Sequence, residues 1–205
     1  MSSTPFLMLF VVGAAAYLLT MSRAPYTGHF VVKAIPILAL AAYVLLQQQG
    51  IGGSLIALGL LFSAGGDVAL ALDRKKYFVV GLGLFLVGHL FYVAGLTQAV
   101  TAFRLTVPVL LLVGYAAALG IWLFPALGKL RGPVLLYMVV ITLMGIAAAL
   151  HPQPFPILLP GAVLFMLSDS FIAIDKFRHP LPYAHYLIMI TYYLGQLGIA
   201  LGSTR

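Results

Sequence analysis

Composition and charge exclude a soluble domain for this chain of 205 residues. Hydrophobic residues make up 63% of the sequence and charged residues only 7%, whereas soluble domains carry about 25% charged residues. The net charge of +7 comes from basic residues spread through short connecting segments, which favours a role in membrane topology over a nucleic-acid partner. Because cysteine is absent, a disulfide framework, a thiol nucleophile and a thiolate metal site are excluded.

Eight apolar runs along the chain are each long enough to cross a membrane. A hydrocarbon core about 30 Å thick requires about 20 apolar residues in a helix. The predicted spans are 5–21, 29–47, 52–72, 77–98, 105–124, 133–150, 155–174 and 183–201. The first span has no charged segment before it and no clear cleavage site, which indicates a retained helix rather than a signal peptide.

The segments between these runs are short and contain Gly, Pro, Gln or basic residues. Short connections predict that neighbouring helices are antiparallel. The runs are continuous rather than alternating, which excludes a β-barrel. The sequence therefore predicts an all-α fold, a single polytopic membrane helix bundle that covers residues 1–205.

Basic residues concentrate in alternate connecting segments. The segments after spans one, three, five and seven hold Arg23, Arg74, Lys75, Lys76, Lys129, Arg131, Lys176 and Arg178. The opposite side holds Arg104 and Arg205. Positive connecting segments stay in the cytoplasm, so this bias predicts a multi-pass protein of the bacterial inner (cytoplasmic) membrane with both termini outside.

Two of the four acidic residues lie inside predicted spans. Asp67 and Asp169 each come six residues before an aspartate expected at a helix end, which places both about 9 Å inside the membrane. An ionisable side chain at that depth is expensive and therefore marks a candidate functional site. One hypothesis is a pair of carboxylates that line a cavity open to the cytoplasmic leaflet. The alternative is a structural ion pair or a helix–helix hydrogen bond, for example with Lys33.

Further polar and aromatic side chains within the spans are candidates to bind a substrate. They are Lys33, Ser63, His89, Tyr92, Tyr192, Tyr193 and Gln196. Lys33 could extend to the interface, pair with Asp67 or contact a phosphate headgroup. His89 could be a hydrogen-bonding group of the bundle or a catalyst. The tyrosines could be core aromatics, although their hydroxyls need partners in lipid and would suit a polar cavity.

A weak internal repeat relates the two halves of the chain. Residues 66–74 align without gaps to residues 168–176, and four spans separate the two copies. The alignment favours two four-helix halves, 1–102 and 103–205, with the same orientation in the membrane. Short apolar matches also arise by chance, so an undivided bundle remains the alternative.

The common local signatures of catalysis and nucleotide binding are absent from the sequence. It contains no G-x-S-x-G elbow, no H-E-x-x-H and no Walker loop. We predict no metal and no cofactor. A metal site built from Asp67, Asp169 and His89 is the alternative that the residues leave open.

Five short motifs occur in order along five of the spans. They are KAIP at 33–36, FSAGGD at 62–67, GHLFY at 88–92, FMLSD at 165–169 and TYYLGQ at 191–196. Together they resemble the YhhN-like lysoplasmalogenase family of eight-helix membrane proteins. The resemblance implies a hydrolase that cleaves the vinyl ether bond of a lysoplasmalogen to a fatty aldehyde and a glycerophospho-alcohol. Its partners would be this lysophospholipid and the surrounding membrane lipids.

This reaction proceeds through protonation of a vinyl carbon and an oxocarbenium ion, which water then attacks. One of Asp67 and Asp169 would protonate carbon, and the other would stabilise the cation and activate water. Lys33 would hold the phosphate near the cytoplasmic interface. The groups expected to position water or the ether oxygen are His89, Tyr92, Tyr192 and Gln196.

Three other classes of protein would also place ionisable groups inside a membrane. A proton-coupled transporter of a small molecule or lipid relays protons through such groups. An intramembrane aspartyl protease uses a Gly-Asp and a second Asp, although its usual Gly-x-Gly-Asp is here interrupted by Ala64. A metal-dependent lipid hydrolase is the third alternative.

Overall fold

Eight α-helices follow one another in the computed structural model, which describes residues 3–48, 50–73, 76–152 and 156–204. They are α1 (Thr4–Thr20), α2 (His29–Gln47), α3 (Ile51–Leu72), α4 (Phe78–Thr97), α5 (Val107–Leu123), α6 (Arg131–Leu150), α7 (Leu158–Phe177) and α8 (Ala184–Ser203). All eight are long and apolar enough to span a membrane, which confirms the predicted all-α bundle. A helix satisfies its own backbone hydrogen bonds, which is a requirement within the hydrocarbon core. The predicted positions of Arg74, Lys75, Phe155 and Arg205 lie outside the described residues.

The bounds of α7 differ most from the prediction. The helix begins at Leu158 and tolerates Pro160 in its first turn, where a missing N–H has no partner to lose. It then continues through Asp175 to Phe177. Asp169 therefore lies about 12 Å from the end of its helix and Asp67 about 7.5 Å from the end of α3, at 1.5 Å per residue. The sequence predicts equal distances from the helix ends for the two carboxylates, and the structure shows unequal ones.

Two pairs of consecutive helices, α3 with α4 and α7 with α8, make the most extensive contacts in the bundle. Glycine residues allow the two helices of each pair to lie close together. A Cβ atom at Gly59 would lie 2.3 Å from the Tyr92 ring, and one at Gly161 would lie 2.7 Å from the backbone of Gly198. Small residues permit such close packing of membrane helices, where van der Waals contact replaces the hydrophobic effect as the main attraction.

Contacts between the first four helices and the last four build the interior. Helix α2 packs against α8, and α4 packs against α6. Helices α1 and α5 lie at the periphery, and large apolar side chains such as Leu19 and Ile121 point outward from them. Polar side chains are concentrated where α2, α3, α4, α6, α7 and α8 meet.

Replacing Gly161 with alanine should destabilise the bundle. The added methyl group would overlap the backbone of Gly198, which cannot rotate away as a side chain could. Overpacking of this kind costs about 1–3 kcal/mol. We expect a lower thermal unfolding midpoint in detergent for Gly161→Ala. The control is Gly114→Ala on α5, where a Cβ atom meets nothing within 4 Å. Equal midpoints for the two variants would contradict the packing argument.

Candidate active site

Asp67 is buried in an ion pair between three helices. Asp67 is only 1% exposed, and its Oδ1 atom lies 3.1 Å from the Nζ atom of Lys33 on α2. The hydroxyl of Tyr192 on α8 donates to Oδ2 at 2.6 Å. Lys33 is itself only 8% exposed. Of the roles predicted for Lys33, the structure shows one, that of counter-ion to Asp67.

The Lys33 backbone is also tied to α8. The Tyr193 hydroxyl donates to the carbonyl of Lys33 at 2.9 Å. Pro36, one turn further along α2, lies inside the helix and lacks the N–H that would bond the preceding turn. Adjacent tyrosines of α8 therefore hold both the carboxylate partner of Lys33 and its main chain.

Asp169 has a different environment. Its Oδ2 atom accepts a hydrogen bond from the hydroxyl of Tyr137 on α6. One residue further along α7, the Ser170 hydroxyl donates to the carbonyl of Met166 at 2.7 Å and accepts the Tyr115 hydroxyl at 2.7 Å. Neither Tyr137 nor Tyr115 is among the site residues predicted from the sequence. The available signal was general, since a tyrosine hydroxyl in a membrane helix needs a partner.

A cleft with a volume of about 70 Å³ opens beside Asp169. Its polar lining comes from Asp169, Tyr137, Tyr115, Ser170 and Thr142, and the rest is apolar. This volume accommodates a few water molecules or part of a flexible chain.

The cleft extends from the middle of the bundle to one membrane side. Four of its lining residues, Phe78, Leu123, Val134 and Phe177, lie at or within one turn of the ends of α4, α5, α6 and α7. Consecutive helices are antiparallel, so these four ends share one side. The same side carries most of the basic connecting residues. We call this end of the cleft its mouth.

A second polar group lies between α3, α4 and α8. The Tyr92 hydroxyl donates to the Oε1 atom of Gln196 at 2.7 Å and lies 3.5 Å from the Ser63 hydroxyl. All three residues are fully buried. This arrangement brings three of the predicted residues together, and it leaves the Nε2 atom of Gln196 buried without a hydrogen-bond partner among the described residues.

His89 is buried, and its ring packs against the ring of Tyr137. Its Nδ1–H donates to the carbonyl of Phe85 at 2.6 Å, and its ring centroid lies 5.2 Å from that of Tyr137. A neutral imidazole that donates through Nδ1 carries a lone pair on Nε2. This Nε2 atom is buried and has no hydrogen-bond partner among the described residues. His89 therefore offers an unused acceptor inside the bundle.

The two carboxylates occupy neighbouring but separate positions. Asp169 lines the cleft, whereas Asp67 lies behind Phe85, a residue that lines the cleft and packs on Gly66. The ring centroids of Phe85 and Tyr192 lie 5.9 Å apart. Asp67 and Asp169 have different hydrogen-bonding partners. No cluster of three potential metal ligands exists among the residues that the structure describes.

The fold and this site define a polytopic membrane protein with acidic and aromatic polar groups gathered inside an eight-helix bundle. The chain belongs to the YhhN family, whose family model matches residues 28–203. No solved structure matches the chain.

Three relatives illustrate what the chain is similar to. Human lysoplasmalogenase TMEM86A is 33% identical over 198 residues, which cover 90% of this chain and 81% of that protein. Human lysoplasmalogenase TMEM86B is 35% identical over 182 residues, covering 85% of this chain and 74% of that protein. A lysoplasmalogenase of Mycobacterium bovis is 35% identical over 162 residues, covering 74% of this chain and 62% of that protein.

Proposed function

We propose that this protein is a membrane-embedded lysoplasmalogenase. It hydrolyses the vinyl ether bond of a single-chain phospholipid to a fatty aldehyde and a glycerophospho-alcohol. The observation that carries the proposal is Asp169, a carboxyl group on the wall of an otherwise largely apolar cleft in the membrane. The names of relatives that are 33–35% identical support the same activity.

Asp169 is the proton donor in this mechanism. Tyr137 holds its Oδ2 atom, which leaves Oδ1 to carry the proton. Transfer of that proton to the β-carbon of the vinyl ether leaves an oxocarbenium ion beside the new carboxylate, which stabilises it by opposite charge. Water adds to the cation and loses a proton, and the resulting hemiacetal collapses to the aldehyde and the free alcohol. The base that takes this proton from the water passes it back to Asp169, so the cycle consumes one water molecule.

Asp67 is the second carboxylate of the pair and remains ionised. Protonation of Asp67 would leave the ammonium of Lys33 buried without a counter-charge, which is strongly unfavourable. Helix α2 contributes no residue to the cleft, and α3 lies between α2 and α4. The negative end of the ion pair is therefore the end nearer to the cleft. It favours the cationic transition state and anchors Tyr192 behind Phe85.

His89 is the candidate base for the attacking water. Its Nε2 atom has no hydrogen-bond partner among the described residues, and its ring packs against Tyr137, which holds Asp169. General base assistance by histidine typically contributes about 10²–10⁴-fold. Tyr92, whose ring centroid lies 6.1 Å from that of His89, extends the polar region together with Gln196 and Ser63.

The fatty chain reaches the cleft from the lipid. An apolar groove of about 720 Å³ lies between α5 and α6 and shares three wall residues with the cleft, Ala116, Met138 and Thr142. A single alkyl chain in this groove would place its vinyl ether at the cleft. Entry is then lateral, from the leaflet at the mouth. We place that leaflet at the cytoplasmic face of the inner membrane, with both termini outside.

The arrangement supports an origin by internal duplication. Asp67 on α3 has partners on α2 and α8, and Asp169 on α7 has neighbours on α6 and α4. In a duplication of four helices, α2 corresponds to α6, α3 to α7 and α4 to α8. The helices around Asp67 therefore correspond to those around Asp169. The packing of α2 on α8 and of α4 on α6 follows the same rule.

The test is aldehyde release by purified protein in detergent. We expect aldehyde from a 1-alkenyl lysophospholipid and none from its saturated 1-alkyl analogue, because only the vinyl carbon accepts a proton. A 1-acyl lysophospholipid should also be left intact, and a chelator should not change the rate. Release of fatty acid from the acyl substrate, or no aldehyde from the alkenyl one, would refute the proposal.

A further inference from the structure

Three cations surround the mouth of the cleft, and each lies over an aromatic ring. The guanidinium of Arg178 is 4.6 Å from the ring centroid of Trp122, and that of Arg131 is 4.2 Å from Phe124. The ammonium of Lys176 is 3.9 Å from the centroid of Phe78. Stacking of this kind fixes the position of a charged group at a modest gain in energy.

These cations are adjacent to the residues that line the mouth. Arg178 follows Phe177, and its stacking partner Trp122 precedes Leu123. Arg131 lies one turn before Val134. The positive-inside rule accounts for basic residues on this membrane side, but it does not require them to stack around the opening of one cleft.

Arg178 retains unused hydrogen-bonding capacity. Its Nε atom is buried and has no hydrogen-bond partner among the described residues. A guanidinium presents its donors in a rigid planar fork that matches two oxygens of a phosphate. An arginine that is held against Trp122 and whose Nε atom has no partner among the described residues is prepared for such a ligand.

The phosphate role predicted for Lys33 therefore has a better candidate. The Lys33 ammonium is buried and pairs with Asp67 at 3.1 Å. Asp169 lies about 12 Å along α7 from its last residue, Phe177. An extended glycerol backbone and a long arginine side chain together span this separation.

We infer that Arg178 forms a phosphate subsite at the mouth of the cleft, with Arg131 as a second cation of the same rim. The subsite binds the phosphodiester of a single-chain lipid and thereby positions the vinyl ether at Asp169. The second role, positioning of the vinyl ether at Asp169, rests on the proposed function. A free phosphate has the same chemistry, so the experiment must separate the two ligands.

The binding test uses Trp122, which is the only tryptophan in the chain and lies against Arg178. Its fluorescence is titrated in detergent micelles with three probes. The first is a 1-alkyl lysophosphoethanolamine, which cannot be cleaved; the second is the neutral 1-alkylglycerol of equal chain length; the third is inorganic phosphate. We expect saturable binding of the phospholipid probe to be weakened about 10- to 100-fold in Arg178→Gln, as for loss of a charge-assisted hydrogen bond. Binding of the neutral probe should not change.

Two further variants control the measurement. Arg178→Lys retains the charge and should recover part of the affinity, which a folding defect would not allow. Arg23→Gln removes a charge from the predicted same membrane side, beyond the end of α1, and should bind all probes as wild type does. Equal weakening of the charged and neutral probes in Arg178→Gln overturns the subsite. If inorganic phosphate binds as tightly as the phospholipid, the assignment to a lipid headgroup is overturned.

Kinetics separate this inference from the proposed function. With the cleavable substrate, Arg178→Gln should raise KM and leave kcat near the wild-type value. An active wild type whose KM is insensitive to Arg178→Gln overturns the subsite alone. A wild type that binds the phospholipid probe through Arg178 but releases no aldehyde overturns the proposed function alone.

Discussion

Asp169→Asn should reduce aldehyde release by about 10²–10⁴-fold, the range typical of a lost general acid. The substitution keeps the size of the side chain and an oxygen that accepts the hydroxyl of Tyr137. It removes the only carboxyl group that the described residues contribute to the cleft wall, and with it the acid that delivers a proton to carbon and then remains as a counter-charge. The rate should therefore fall through kcat, while the affinity for an uncleavable lipid stays close to the wild-type value.

The matched control for this substitution is Asp175→Asn on the same helix. The Asp175 carboxylate accepts the backbone N–H of Leu181 at 3.1 Å, and an amide oxygen can replace it there. We expect this variant to release aldehyde at close to the wild-type rate and to unfold at a similar temperature. Full activity in Asp169→Asn, measured under the same conditions, would remove Asp169 from the mechanism.

The membrane itself explains how much of this fold could be predicted. A chain with so few charged residues can adopt few folds in a bilayer. The eight predicted spans agree with the helices to within three residues at each end. Asp67 and Asp169 could also be identified from the sequence, because an acidic residue inside an apolar run is rare. Pairing with Asp67 is one of several roles that the sequence leaves open for Lys33, and it is the one that the structure shows.

The rest of the site depends on packing that periodicity does not encode. Tyr137 resembles any core aromatic in the sequence, and its bond to Asp169 depends on the rotation of α6 against α7. The separation of the two carboxylates by Phe85 depends on the ring fitting against Gly66. The contact of Arg178 with Trp122 joins the C-terminal ends of α7 and α5, which are far apart in the chain. Each of these contacts is tertiary, so a single sequence could supply the residue types but not their pairing.

Asp67→Asn alone should lower both stability and activity, and for that reason it cannot reveal what Asp67 does. Removal of one member of a buried ion pair leaves the other charge uncompensated and costs about 3–5 kcal/mol. Lys33→Met should have a similar effect, because the carboxylate then keeps only the hydroxyl of Tyr192. In both cases a low rate could follow from partial unfolding.

The double variant Asp67→Asn, Lys33→Met separates the two roles. Replacement of a whole buried ion pair by uncharged groups is often neutral for stability, so its unfolding midpoint should return close to that of the wild type. We nevertheless expect its aldehyde release to stay at least about 100-fold below the wild-type rate, since the developing cation has lost the negative end of the pair. Thermal unfolding and kcat would be measured on all four proteins of the cycle. A double variant that is both stable and fully active would show that Asp67 only holds α2, α3 and α8 together, and Asp169 would then be the sole acidic catalyst.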